Sequence, residues 1–314
     1  GREGLNAVAT HPGAEMVVSA AVGVVGLEAT YKAVAAGKTL ALANKEVLVA
    51  AGALVMDAAA RSGVDILPVD SEHNAIHQCL RAGRRREIER LTLTGSGGPF
   101  LKWSRARLAR ATPRQALQHP QWKMGKRITV DSATLMNKGF EVIEAHWLFG
   151  LRSEQIEVVI HPQAIIHSLI EFVDGSTLAQ LARPDMRLPL QYALTYPDRV
   201  PSTNHRLNVS ELGKLEFRPP DEKKFRCLSL ARQALAAGGS LPCVLNAADE
   251  VAVSAFLNRR VRFSEIPEVI ERVLEASTPM PLGSIEDVLS CDRQARSYAA
   301  HVVETVRKKK RKRR

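Results

Sequence analysis

The sequence predicts an α/β protein in three parts: an incomplete parallel-sheet region, a mixed α+β region, and a small helical region at the end. Three observations predict it. β-rich runs alternate with helical patterns up to about residue 100. A polar stretch from Ser202 to Pro220 holds few large apolar residues and closes on Pro219-Pro220, which reads as a linker. Beyond it, apolar residues recur at helical spacing alone. With 314 residues, 45% of them hydrophobic, the chain can bury two or three cores.

The first part reads in order as a strand at Glu15 to Ala21, a helix at Gly26 to Gly37, a strand at Thr39 to Asn44, and a helix at Lys45 to Ser62. A strand at Val64 to Asp70, a helix at Glu72 to Ala82 and a strand at Arg90 to Ser96 follow. That βαβαβαβ order is the signature of a parallel, Rossmann-like sheet flanked by helices. Ligands of such sheets sit beyond the carboxyl ends of the strands. Three of those ends are polar here, Asn44-Lys45, Asp70-Ser71-Glu72 and Thr94-Gly95-Ser96, so these residues are expected to converge on one rim. No Gly-x-Gly-x-x-Gly turn is present to hold a dinucleotide's pyrophosphate, and Arg2 to Ala9 reads as the tail of a helix or a loop. Either a cofactor binds unusually or the sequence begins inside the domain.

From about 100 to 205 the pattern is mixed, with a helix at Met136 to Phe149 and strands at Gln155 to His161 and Ile165 to Val173. Helical periodicity then covers Cys227 to Ala237, Leu241 to Asn258, Phe263 to Ser277 and Ile285 to Val306.

Composition narrows the function. The formal charge is +11, but residues 307–314 are all Lys or Arg and supply eight of these charges, leaving a body at +3. A near-neutral body lacks the broad basic face of a dedicated nucleic-acid binder, and the tail is expected to be disordered. No long apolar run or secretory leader is visible, and Cys79, Cys227, Cys243 and Cys291 form no Cys-x-x-Cys pair. A cytoplasmic protein with reduced thiols is the expectation.

Asp70, Glu72 and Glu141 offer carboxylate oxygens of the kind that suit Mg²⁺ or Mn²⁺; the same three also read as a capping Asp, a helix-start Glu and an exposed Glu. Asn137, Lys138 and Glu141 share a helical face just after Ser132, which suits a monophosphate as well as an ordinary cap and a surface Lys–Glu pair. The run His119 to Gly125 places an imidazole, an indole and a thioether between Pro and Gly hinges, as in a lid or a packing anchor. His161 and His167 lie in strand-like sequence and read as structural, and the stripe from Val244 to Phe256 reads as core.

Together these segments resemble one family, 1-deoxy-D-xylulose 5-phosphate reductoisomerase. The matching stretches are Leu-Ala-Asn-Lys-Glu (42–46), Pro-Val-Asp-Ser-Glu-His-Asn-Ala-Ile (68–76), Leu-Thr-Gly-Ser-Gly-Gly-Pro-Phe (93–100) and His-Pro-Gln-Trp-Lys-Met-Gly (119–125). Val-Asp-Ser-Ala-Thr-Leu-Met-Asn-Lys-Gly-Phe-Glu (130–141), Ile-His-Pro-Gln (160–163), Leu-Ala-Arg-Pro-Asp-Met-Arg (181–187) and Leu-Asn-Ala-Ala-Asp-Glu (245–250) complete them in family order.

The resemblance implies NADPH-dependent isomerising reduction of 1-deoxy-D-xylulose 5-phosphate to 2-C-methyl-D-erythritol 4-phosphate, in non-mevalonate isoprenoid synthesis, by a cytoplasmic homodimer. It implies that Asp70, Glu72 and Glu141 hold the divalent cation. Ser96, Ser132, Asn137 and Lys138 would take the phosphate, and Lys45, Ser71 and His119 would contact substrate or cation-bound oxygens. Lys45, Asp70, Glu72, His119 and Glu141 would be the catalytic set. Trp122 and Met124 would belong to a mobile lid, and Asn44 and Gly125 would touch the cofactor. The implied boundaries are a partial NADPH-binding domain at 1–70, a catalytic domain at 71–205, a linker at 206–220, a helical domain at 221–306 and a basic tail at 307–314. The family's opening strand and Gly-rich turn have no counterpart here, so weak NADPH binding and low turnover are expected of the chain as given. A non-catalytic relative serving as a dimeric ligand-binding or scaffold protein is the competing reading.

Overall fold

The computed structural model describes residues 1–312, with side chains through Lys308. In chain order the elements begin with α1 (Arg2–Ala9), β1 (Met16–Ser19), α2 (Leu27–Ala35), β2 (Thr39–Leu42), α3 (Glu46–Ser62), β3 (Ile66–Pro68), α4 (Ser71–Cys79) and β4 (Ile88–Gly95). Then come α5 (Arg105–Leu108), α6 (Pro113–Ala116), α7 (Lys126–Thr134), α8 (Met136–Phe149), β5 (Ile156–Ile160), β6 (Ile166–Phe172), β7 (Thr177–Leu181) and α9 (Arg187–Thr195). Helices α10 (Arg226–Ala237), α11 (Leu241–Leu257), α12 (Ile266–Glu275) and α13 (Ile285–Lys312) close the chain. No helix among the described residues is long and apolar enough to cross a membrane.

The chain divides into two compact units, residues 1–96 with 144–219, and residues 97–143 with 220–314. The first unit holds both sheets. β1, β2 and β3 pair in parallel, with Val18 opposite Ala41 and Ala41 opposite Leu67. These strands are short and apolar, and the helices that return the chain between them cover the sheet with Leu27, Val34, Val47 and Leu48, all fully buried. Helix α3 stops at Gly63, whose φ of 63° is the left-handed conformation that a glycine takes without a steric penalty.

The expected fourth parallel strand lies elsewhere. β4 belongs to a second sheet of order β5-β4-β6-β7, parallel to β5 and antiparallel to β6. Two short 3-10 turns, Leu80–Ala82 and Arg85–Glu87, separate it from α4, which packs on β6 and β7 and so begins a new layer. The expected domain limits shift for the same reason. Residues 71–96 stay with the parallel sheet, 97–143 join the C-terminal helices, and the division falls within α8. The expected linker at 206–220 is tied down in the first unit through residue 219. Arg218 bridges to Ile160, and His161 Nδ1 donates to the Glu216 carbonyl at 2.9 Å. A polar, Pro-bearing segment still carries backbone groups that need partners, and β5 supplies them.

The second unit is built on α11, whose stripe from Val244 to Phe256 is core as expected. The basic tail, expected to be disordered, is helical through the described residues: α13 continues through Lys312, consistent with the favourable helix propensity of Lys and Arg and with cations near a helix C-terminus. Arg313 and Arg314 lie outside the described residues.

Within α11, Asp249 is fully buried, and that burial raises its carboxyl to about 6. A raised carboxyl favours the folded state while protonated, so its contribution is complete below the ordinary carboxylate range and is lost as pH rises through about 6. The expected result is a thermal midpoint that falls across this window in the native protein and falls less in Asp249→Asn. Melting curves at stepped pH check it, and identical slopes for the two proteins would contradict it.

Candidate active site

In the first unit, strand register sets the geometry. Leu42 lies opposite Pro68, so the residues just past β2 and β3 emerge side by side. Lys45 and Asp70 meet there, Nζ to Oδ2 at 2.7 Å, with side chains only 7% and 13% exposed. Asp70 also caps α4, its Oδ1 accepting from the Glu72 N–H at 3.1 Å, and Ser71 Oγ donates to Glu72 Oε2 at 2.8 Å. Two of the three expected strand ends therefore converge. The third does so less fully: the Thr94 hydroxyl is buried and donates to the carbonyls of Ile166 and His167, at 2.6 and 2.8 Å, so Thr94 fastens β4 to β6. Ser96 follows the end of β4.

His73 and Glu144 were missed by sequence reasoning. His73 is fully buried, its Nδ1 3.5 Å from Asp70 Oδ1 and 3.3 Å from Glu144 Oε2, and ligand atoms of the three residues lie within 4.8 Å of one another. The available signal was the i,i+3 spacing of Asp70 and His73 on one helical face. Nothing in the sequence linked Glu144 to them.

Asn44 is buried, and its amide is spent on backbone: Nδ2 donates to the carbonyls of Ala21 and Gly23, and Oδ1 accepts from Glu46 N–H at 3.1 Å. It shapes the loop after β1, the place where a parallel sheet of this kind meets a nucleotide. His161 and His167 are buried; His161 stacks on Phe217 at 4.7 Å and accepts from Ile165 N–H at 3.1 Å through Nε2. Its structural reading stands.

The second unit carries the remaining residues. On α8, Asn137 Nδ2 donates to Glu141 at 2.6 Å and the Lys138 ammonium pairs with the other Glu141 oxygen. Lys138 is 4% exposed and Glu141 1% exposed, so this carboxylate is a compensated buried charge and not the surface Glu that its position also allowed. Ser132 lies on the preceding turn of chain, and Leu135, at a φ of 64°, makes the sharp joint from α7 to α8. Gly125 is the N-cap of α7, its carbonyl accepting from Thr129 N–H at 3.1 Å and from the Thr129 hydroxyl at 2.7 Å.

Residues 119–125 hold no regular secondary structure, and Trp122 and Met124 are half-buried in them. His119 Nδ1 accepts from the N–H groups of Gln121 and Trp122, at 3.2 and 2.9 Å. Burial lowers the His119 pKa below the ordinary histidine value. Because Nδ1 accepts these two N–H groups, the ring in this geometry carries its proton on Nε2. A lowered imidazole supports this loop conformation above the ordinary histidine value, and that support is lost as pH falls through the lowered value. Ring NMR titration is expected to place His119 below an unstructured histidine; a higher value would contradict the geometry.

Strand ends carrying acids and a lysine in the first unit, and a helix presenting an amide, a lysine and a buried glutamate in the second, are the polar equipment of an α/β enzyme. The comparisons make the assignment specific. Profiles described as 1-deoxy-D-xylulose 5-phosphate reductoisomerase, its C-terminal domain and the DXP reductoisomerase C-terminal domain match residues 1–52, 66–149 and 181–298. The 1-deoxy-D-xylulose 5-phosphate reductoisomerase of Geobacillus kaustophilus is 56% identical over 299 residues, covering 95% of this chain and 78% of its own. That of Solibacter usitatus is 54% identical over 288 residues, covering 92% and 72%. The solved enzyme of Zymomonas mobilis in complex with NADPH superposes with a TM-score of 0.91 at 44% identity, over 97% of this chain and 79% of that one. A DOX-P reductoisomerase in complex with NADPH, fosmidomycin and magnesium gives a TM-score of 0.91 at 42% identity, with the same coverage. The chain belongs to the 1-deoxy-D-xylulose 5-phosphate reductoisomerase family.

Proposed function

We propose that Asp70, Glu72 and Glu141 hold one divalent cation and that the chain's substrate phosphate is taken by Ser96, Ser132, Asn137 and Lys138. The activity is the NADPH-dependent isomerising reduction of 1-deoxy-D-xylulose 5-phosphate to 2-C-methyl-D-erythritol 4-phosphate, a step of isoprenoid precursor synthesis. The observation that carries it is identity above half to enzymes of this name, with every acid, lysine and amide of the proposed set in place.

The donor set fits the cation. It is carboxylate oxygen alone, which suits Mg²⁺ or Mn²⁺, and in each unit a lysine already balances an acid. When bound, the cation supplies Lewis acidity toward the substrate carbonyl and NADPH supplies the hydride. Lys45, fixed by Asp70, holds a positive charge beside the substrate oxygens. Lys138, buried on α8 and paired with Glu141, brings a positive charge to the phosphate. His119 offers its Nε2–H to a substrate oxygen, and Ser71 contributes a hydroxyl. Trp122 and Met124, on a loop without regular structure, close over the reacting carbons and exclude water. Asn44 and Gly125 line the cofactor site, Asn44 by fixing the loop after β1. Homodimerisation and a cytoplasmic setting complete the proposal, the latter supported by four free thiols.

The direct test is product identification. Incubation with 1-deoxy-D-xylulose 5-phosphate, NADPH and Mg²⁺ is expected to yield 2-C-methyl-D-erythritol 4-phosphate by mass spectrometry, and chelation is expected to abolish it. No product from protein shown to hold its cation would favour the non-catalytic relative.

A further inference from the structure

The segment Leu245 to Glu250 lies on α11 and takes no part in the chemistry above, yet it carries the buried Asn246 and Asp249 and the partly buried Glu250 in the second unit. Arg127, in the first turn of α7, meets all three. Its Nη1 donates to Glu250 Oε1 at 2.6 Å, Nη2 donates to Asn246 Oδ1 at 2.8 Å, and Nη2 stands 3.6 Å from Asp249 Oδ2. On its own helix, Nε lies 3.5 Å from Asp131 Oδ2, and the guanidinium sits 5.7 Å from the ring centre of Phe140 on α8. Glu250 is shared: its second oxygen receives Arg296 Nη1 at 2.6 Å, and Arg296 is held in turn by Asp292 at 2.6 and 2.9 Å. The fork of Arg127 is therefore fixed at both ends, and α7 is fastened through Glu250 to α11 and α13. A planar guanidinium satisfies this geometry, whereas a lysine can reach only one of the partners at a time.

What this fastening holds in place gives it a function. Gly125 is the N-cap of α7 and Met124 precedes it, so the lid ends two residues before Arg127. Ser132 lies five residues after it on the same helix. Phe140, under the guanidinium, is the immediate neighbour of Glu141. The sequence of α7, Lys-Arg-Ile-Thr-Val-Asp-Ser-Ala-Thr, is rich in β-branched residues and has no side-chain cap, so its helical state depends on tertiary contacts.

We propose that Arg127, gripped by Asn246 and Glu250, is a positioning residue that anchors the root of the lid and the Ser132 helix to the C-terminal helical bundle. The bundle thereby serves the reaction without touching substrate. The proposal rests on the lid and phosphate roles assigned above to residues 119–125 and Ser132, and its test separates the two.

Hydrogen exchange and steady-state kinetics are measured on the native protein, Arg127→Met, Arg127→Lys and Glu250→Gln, the last retaining shape where the methionine variant folds poorly. Faster exchange in residues 119–134, with unchanged exchange in β1 to β3, is expected in all three variants. A rise of about ten- to a hundredfold in KM for 1-deoxy-D-xylulose 5-phosphate is expected with Mn²⁺ affinity unchanged, because the cation ligands are untouched and the substrate-closing elements are misplaced. Arg127→Lys is expected to recover little. Unchanged exchange in 119–134 overturns the anchor whether or not the protein turns over. Faster exchange with native KM and kcat, or a lower melting temperature alone, overturns its connection to the site. A native protein that shows the exchange pattern in its variants but no turnover leaves the anchor supported and counts against the assigned reaction.

Discussion

Glu141→Gln is expected to lower kcat/KM by about a hundredfold or more, since changing even an outer partner of a metal ligand commonly costs ten- to a hundredfold. The substitution keeps the shape of a side chain that is 1% exposed but removes its charge. Two losses follow. The proposed cation site would lose one of its three carboxylates, and Lys138, with a side chain 5% exposed, would lose its ion pair with Glu141. Breaking a buried pair from one side costs about 3–5 kcal/mol, so the melting temperature of the cation-free variant is expected to fall as well. Adding Lys138→Met should recover much of that stability and none of the activity. Kinetics at saturating Mg²⁺, a Mn²⁺ titration and melting curves on the three proteins check this. A loss of less than tenfold, or recovery of activity in the double variant, would remove Glu141 from the site.

Gly98→Ala is the second large effect. Gly98 has a φ of +66°, and a Cβ there would stand 2.7 Å from the backbone carbonyl oxygen of Ser132. The left-handed conformation costs an alanine about 1–2 kcal/mol, and overpacking against a main chain that cannot rotate away adds about 1–3 kcal/mol. A destabilisation of about 2–5 kcal/mol is expected, from the same two contributions. Because the obstructed atom belongs to Ser132, proposed above to take the substrate phosphate, relief by moving α7 is also expected to raise KM for the phosphorylated substrate. Urea titration gives the first quantity and initial-rate kinetics the second. A variant as stable as the native protein, with native KM, would show that the turn at Gly97-Gly98 is not pressed against α7.

Local pattern made much of this fold legible. Helix α8 occupies Met136–Phe149 as its periodicity predicts, and the three parallel strands and the helices between them fall within a few residues of their expected places. Pairing was harder to see. The run at Arg90 to Ser96 is a sound strand, but no feature within it says that its neighbours are β5 and β6 and not β3. Helices α7 and α9 and strand β7 escaped detection. α7 is made of weak helix formers, α9 carries Pro189 near its start, and β7 is a short, exposed edge strand. Interleaving of the two units was also hidden, since residues 97–143 read along the chain as a continuation of what precedes them.

The candidate site shows the same division. Asn137, Lys138 and Glu141 were readable because a helix places i,i+3 and i,i+4 residues together. Lys45 and Asp70 were readable because strand ends of a parallel sheet converge. Glu144 beside His73 was not, because it depends on where α8 passes. That the Asn44 amide organises the loop after β1 was not readable in the sequence either.

The measurement that tests the central claim most directly is NADPH oxidation in the presence of 1-deoxy-D-xylulose 5-phosphate, titrated with Mg²⁺ and with Mn²⁺. The account predicts oxidation that needs both the sugar phosphate and the cation, saturates with each, and stops on chelation. Oxidation that proceeds equally without the cation, or its absence at saturating cation in protein that binds NADPH, would contradict it.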